Sequence, residues 1–190
     1  MYHTWLEQLT EQDRADIVAL MNDVAVHETT MGFHEPLSPE AARELTDSMD
    51  ADVRSGAAHV LAFRDLEADG RIVAMVTLTP SKLPARKHVI EMKRGTVGRA
   101  YRGTILHELF RASMLRALEL GCDRVILDVR ADGPERLWRR LGFQEYGRME
   151  DYARVNGRTI SGIFMQATVA EVVAALAAAP DRARVAAPAA

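Results

Sequence analysis

One stretch constrains the fold more than any other. Between His88 and Val129 the spacing of apolar residues changes from strand-like to helix-like and back. His88–Val97 reads as a strand, and Gly98–Gly103 as a turn. Thr104–Leu120 is the clearest helix in the chain. Leu106, Leu109, Phe110, Ser113 and Ala117 make its inner stripe, while Glu108, Arg111 and Glu119 face out. Leu115 breaks this pattern, and Gly121 is the C-cap candidate. Arg124–Val129 follows, almost wholly apolar, and suits a central strand covered on both faces.

The flanking segments fit around this unit. Tyr2–Leu9 reads as a first strand. Thr10 and Asp13 resemble a capping box, and Ile17, Leu20, Met21 and Val24 predict a helix over Glu11–Val26. Glu28–Leu37, with Gly32 and Pro36, reads as a loop. Ser38-Pro39 starts a second helix over Pro39–Val53. Ala58–Phe63 and Arg71–Thr79 are strands joined at Asp69-Gly70, a hairpin signal, and a basic loop from Pro80 to Lys87 follows. Pro134–Leu141 is a short helix. Gln144–Val155 and Thr159–Ala167 are strands turning at Asn156-Gly157, and Val169–Ala178 is a last helix. The order β-α-α-β-β-β-α-β-α-β-β predicts an α/β (α+β) domain: a mixed, mostly antiparallel central sheet of about seven strands flanked by helices. One domain over residues 1–179 is expected, with the Ala/Pro/Arg-rich residues 180–190 as a disordered tail.

Composition narrows the function class. A net charge of −3 over 190 residues argues against nucleic acid or an anionic membrane as partner. No apolar run is long enough to span a bilayer, and residues 1–7 lack the basic and apolar regions of a signal peptide. The single cysteine, Cys122, permits no internal disulfide and fits the reducing cytoplasm. Following a helix cap and preceding an apolar strand, it reads as a buried, inert thiol. The histidines show no zinc spacing, so no metal is expected.

The turn at residues 98–106 carries the first chemistry. A strand that runs through a glycine-containing turn into a helix sets free backbone N–H groups and a positive dipole end beside the strand edge. Such a place binds phosphate, and Arg99 and Arg102 add charge there. The same residues also suit an ordinary strand–helix turn that needs a glycine.

The wider pattern resembles the GNAT superfamily of acetyl-CoA-dependent N-acetyltransferases over roughly residues 28–166. The residues that carry the likeness are Val97-Gly98-Arg99-Ala100-Tyr101-Arg102-Gly103-Thr104, then Val125-Ile126-Leu127-Asp128-Val129, then Leu137-Trp138-Arg139-Arg140-Leu141-Gly142-Phe143. Gly32–Ser38 and Gly147–Tyr152 are similar to the subset that modifies small molecules, including toxins. The resemblance implies that the strand ending at Val97 splays from its neighbour and pairs with the pantetheine arm. Thr96, Val97, Arg102, Gly103, Thr104, Ile105 and Leu106 would line the cofactor, with a backbone N–H near Thr96 or Val97 polarising the acyl carbonyl. It implies acetyl-CoA as cosubstrate and a small primary amine as acceptor, acetylated by direct attack. The superfamily's usual turn is Arg/Gln-x-x-Gly-x-Gly/Ala. Here its places fall on Tyr101, Thr104 and Leu106, with the glycine displaced to Gly103. That departure leaves open a longer acyl donor or a non-catalytic acyl-CoA-binding domain.

Amine acetylation needs a base for the amine proton and an acid for the thiolate. By the resemblance, Glu91 is the candidate base; its alternative is an ion pair with Lys93 or Arg94. The family's usual acid, a tyrosine, falls on Trp138 here, so the role passes to Tyr101, Tyr146 or Tyr152, with Tyr152 preferred because it sits on a strand beside Asp151. Met31, Phe33 and His34 are the candidate substrate contacts, and Ser81–Lys87 borders the same cleft. The final hairpin offers an edge for a homodimer.

Overall fold

A computed structural model describes residues 1–28 and 35–178. The substrate candidates Met31, Phe33 and His34, and the expected tail, lie outside the described residues. Among the described residues, seven strands and five α-helices follow in chain order: β1 (Tyr2–Leu6), α1 (Glu11–Glu28), α2 (Pro39–Arg54), β2 (His59–Asp65), β3 (Arg71–Pro80), β4 (Val89–Val97), α3 (Leu106–Glu119), β5 (Arg124–Arg130), α4 (Glu135–Arg140), β6 (Gln144–Val155), β7 (Arg158–Thr168) and α5 (Val169–Ala178). They form one sheet in the order β1-β2-β3-β4-β5-β7-β6, antiparallel throughout except for the parallel pair β4–β5. Both hairpins turn where their Asp-Gly and Asn-Gly signals stand, with Asp69 and Asn156 at φ of 54° and 50°.

The sheet separates two cores. On one face α1 and α2 place Ile17, Leu20, Met21, Met49 and Val53 against Val60, Ala62, Ile72 and Met75. On the other, α3 and α5 place Leu109, Phe110, Met114, Ala117, Val172 and Leu176 against residues drawn from β2 to β5 and β7. The second core extends from β2 across to β7; the first face is helix-covered mainly over β1 to β4. A correction to the expected central strand follows. On β5, Val125 and Leu127 are buried, but Ile126 and Asp128, on the α1/α2 side, are only half-buried. β5 is therefore fully covered on one side only, and its apolar run conceals a polar residue on the open side.

Local hydrogen bonds fix two element ends. β1 stops at Leu6 because the Leu9 N–H leaves the sheet to donate to Asp50 Oδ1 at 2.6 Å. The start of α1 is the predicted box: Asp13 accepts from the Thr10 N–H and hydroxyl, and Thr10 Oγ1 accepts from the Asp13 N–H. The same carboxylate also takes a hydrogen bond from Arg64 on β2, so it caps the helix and ties it to the sheet.

Candidate active site

Two irregularities build the site. The first is in β4. Thr96 pairs with Met75, yet Lys93 pairs with Thr77, so β4 carries one residue more than β3 in this interval. The bulge sits at Arg94, held at φ 52°, next to Gly95. A bulge bends the strand that carries it. β4 accordingly pairs with β5 over only three positions, Val89↔Arg124, Ile90↔Val125 and Glu91↔Ile126, and then diverges. The splay implied by the family likeness is thus present, with the bulge as its cause. A glycine inside a strand pattern was the available signal for it.

The open backbone edge of β4 can be followed atom by atom. The Gly98 N–H donates to Val73 O on β3 at 2.9 Å. Alternation along the strand turns the preceding Val97 N–H and carbonyl the other way, into the fork. Arg102 confirms the direction: its guanidinium donates to Val97 O, with Nε at 3.3 Å. Of the two backbone donors proposed for the acyl carbonyl, Val97 is the one that faces the gap.

The turn after β4 is wound on one carbonyl. Tyr101 O accepts from the Thr104 N–H, the Ile105 N–H and the Thr104 hydroxyl. Gly103 at φ 86° makes the reversal. Tyr101 itself donates its hydroxyl to Asp65 Oδ2 at 2.6 Å, which anchors the turn to the end of β2; this hydrogen bond pushes the Tyr101 pKa up. Because these bonds close before the helix opens, α3 starts at Leu106 rather than Thr104, and no side chain caps it. Its first backbone N–H groups are left for a ligand or water.

Between the arms of the fork lies a groove of about 450 Å³. Gly95, Thr96, Val97 and Arg102 line one side, and Asp132, Gly133 and Pro134 the other. Its walls come from both faces of the sheet: Val24 of α1, and Leu106, Leu109, Phe110, Leu137 and Trp138 from beneath. Trp138 is wedged edge-on between Phe110 and Phe143, with ring centroids 5.2 and 5.4 Å away. Of the seven cofactor candidates, Thr96, Val97, Arg102 and Leu106 line this groove. Gly103 and Thr104 are exposed in the turn beside it, and Ile105 is buried in the core. Val24, Asp132, Gly133 and Trp138 are groove residues that the sequence did not single out for this role.

The second irregularity is in β6. Met149 pairs with Gly162 and Ala153 with Ile160, so β6 carries two extra residues between them. This bulge swings Tyr152 over Gly162, where it meets Phe164 edge-on at 6.2 Å and donates its hydroxyl to Asp128. Burial, then that hydrogen bond and the Asp128 charge, push the Tyr152 pKa well up; Glu91 acts in the same direction. Tyr152 does not line the groove. Glu91 stands on the α1/α2 side of β4, ion-paired with Lys93 Nζ at 2.7 Å. It lines a separate hollow of about 240 Å³ with Lys82, Arg86 and Ile126, so the basic loop and Glu91 do share a recess. Cys122 is buried, and burial pushes its thiol pKa up. Among the described residues no helix is long and apolar enough to cross a membrane.

No sequence-family profile matches the chain, and no curated protein sequence does. Solved structures match it well. A ribosomal-protein-alanine N-acetyltransferase from Brucella melitensis superposes with a TM-score of 0.70 at 19% identity, covering 88% of this chain and 99% of that one. A GNAT superfamily phosphinothricin acetyltransferase from Sinorhizobium meliloti, in complex with acetyl-CoA, gives 0.68 at 18%, covering 88% and 89%. An acetyltransferase of the GNAT family from Streptococcus pneumoniae gives 0.67 at 19%, covering 88% and 99%. The chain has the GNAT fold.

Proposed function

We propose that this chain is an N-acetyltransferase that moves an acetyl group from acetyl-CoA to a primary amine of a small molecule. The observation that carries the reading is the fork: a strand edge left open beside an uncapped helix start, with a groove between them. An extended, amide-bearing arm that ends in phosphates fits such a place. Its amides would pair with the β4 backbone, and its phosphates would lie on the N–H groups that open α3, near Arg102. Thr96, Val97, Arg102 and Leu106 would hold it, while Gly103, Thr104 and Ile105 shape the turn.

When bound, acetyl-CoA supplies the activated acetyl group, and coenzyme A departs as the thiol. The Val97 N–H, turned into the fork, is placed to donate to the thioester oxygen as negative charge grows there. Glu91 would take the amine proton through a water, on the face from which an acceptor enters. Tyr152 is poorly matched to the acid role. Its raised pKa makes it a weaker proton source than a thiol, whose ordinary value is about 8.5. Its hydroxyl instead holds Asp128 in place. A cytoplasmic setting fits the single, buried Cys122. The long edge strand β6, with Tyr146 and Met149 exposed, would suit pairing of two copies.

Acetyl-CoA binding tests the reading directly. At a hundred times its Kd, a ligand specific for the folded state stabilises by about 2.7 kcal/mol. For a chain of this size that raises Tm by about 5–10 °C. An unchanged Tm at millimolar acetyl-CoA overturns the proposal.

A further inference from the structure

Arg130, at the open end of β5, is the least explained charge in the molecule. Its side chain is only 6% exposed. One edge of its guanidinium is committed: Nε donates to Asp132 Oδ1 at 3.0 Å and Nη2 to Asp132 Oδ2 at 2.6 Å. Nη1 is buried with no hydrogen-bond partner among the described residues. An unpaired donor on a buried guanidinium is costly, and this one is held by Asp132, a residue that lines the groove.

Its position narrows what could pair with it. Asp132, which fixes the guanidinium, lines the groove between the arms of the fork; Arg130 does not. Strand alternation sets Arg130 on the same side of β5 as Ile126 and Asp128, which is the α1/α2 side carrying Glu91. On the same side of the sheet stand Asp128, bonded by Tyr152, and, on β4, Glu91, paired with Lys93. Tyr152 feels the charge of both Arg130 and Glu91. Lys93 on this face has its carboxylate, whereas Arg130 keeps one nitrogen without a hydrogen-bond partner among the described residues. A guanidinium clamped along one edge by a carboxylate offers its other edge, in a fixed orientation, to a second planar anion.

Resting on the acetyltransferase reading, we infer that Arg130 is a specificity-determining residue that takes a carboxylate on the acceptor. The acceptor is therefore an amino acid or a close relative that carries both a primary amine and a carboxylate. The carboxylate docks on the Nη1 edge of Arg130, which turns the amine toward Glu91 and the fork. Asp132 acts through Arg130 as a positioning residue.

The test compares free amino acids with their methyl esters as acceptors, following thiol release from acetyl-CoA. The ester keeps the side chain and removes the anion; because it also lowers the pKa of the amine, KM is compared on the concentration of unprotonated amine. The wild-type protein is expected to favour acid over ester by about tenfold or more in KM, the scale of a charge-assisted hydrogen bond. Arg130→Gln is expected to raise KM for the acid while moving kcat little, so that the preference collapses toward unity. Arg130→Lys, which keeps the charge and loses the planar edge, falls between. The wild-type comparison stands even if a variant folds poorly. Equal use of acid and ester by the wild type overturns the inference. So does a parallel rise in KM for both in Arg130→Gln, or acetyl-CoA binding with no turnover of any amino acid in a panel of the common twenty. A failure of acetyl-CoA to shift Tm is a different result and strikes the acetyltransferase reading itself.

Discussion

Gly162→Ala is a sharp perturbation, because two physical effects predict opposite signs for it. Gly162 is on β7 with its φ outside the left-handed region, so alanine carries no backbone penalty there. On unfolded-chain entropy alone the substitution would stabilise by about 0.4–1 kcal/mol. The structure reverses this. An added Cβ would lie 2.8 Å from Tyr152 Cβ and run into the Tyr152 ring. That ring is held from three sides: by the β6 bulge, by Phe164, and by the hydroxyl bond to Asp128. Overpacking of this kind costs about 1–3 kcal/mol. At about 2–4 °C per kcal/mol, Gly162→Ala should lower Tm by about 2–12 °C. Four proteins decide the matter by thermal unfolding: the parent, Gly162→Ala, Tyr152→Ala and the double variant. With the ring gone, only the Cβ–Cβ contact at 2.8 Å remains, so the loss caused by Gly162→Ala should be clearly smaller on the Tyr152→Ala background. A Gly162→Ala protein as stable as its parent refutes the reasoning, as does an equal loss on both backgrounds.

Asp13→Ala removes the cap of α1 and strands Arg64, whose side chain is 15% exposed; urea titration should show a loss of about 3 kcal/mol. Burial would raise the Asp13 pKa, but the hydrogen bonds from Arg64 and Thr10 outweigh it, and the net direction is down. The contribution is therefore whole above the unfolded value of about 4 and fades as pH falls through the lower folded value, so Asp13→Ala should flatten the acid limb of a stability–pH curve. Glu91→Gln should cut kcat by about a hundredfold while KM changes little; unchanged steady-state kinetics would remove Glu91 from the base role.

The positions of strands and helices were legible because each leaves a local period. Ile17, Leu20 and Met21 mark α1, and Leu109, Phe110 and Ser113 mark α3, whatever they later pack against. The hairpins announced themselves through Asp69-Gly70 and Asn156-Gly157. The site was harder to see because its defining bonds join residues far apart in the chain. Tyr152 meets Asp128 from 24 positions away, Tyr101 meets Asp65 from 36, and Arg64 meets Asp13 from 51. The bulges at Arg94 and at residues 150–152 were hidden for a related reason. An inserted residue has meaning only against the partner strand that lacks it. Asp128 and Arg130 were overlooked because β5 looks uniformly apolar; its one-sided cover appears only once the neighbours are placed.

The short pairing of β4 with β5 also bears on how the molecule comes apart. Only three residue pairs join the antiparallel block β1–β4 to the antiparallel block β5–β7 across the sheet, and the helices that bridge them do so from one face. Such a seam divides a protein into two cooperative units that open with different free energies. Amide exchange should therefore report two protection levels, one for each block, in the empty protein. A ligand lying in the fork would touch both blocks at once and act as a stitch across the seam. The two protection levels would then rise and converge, so exchange rates far from the groove would record its occupancy.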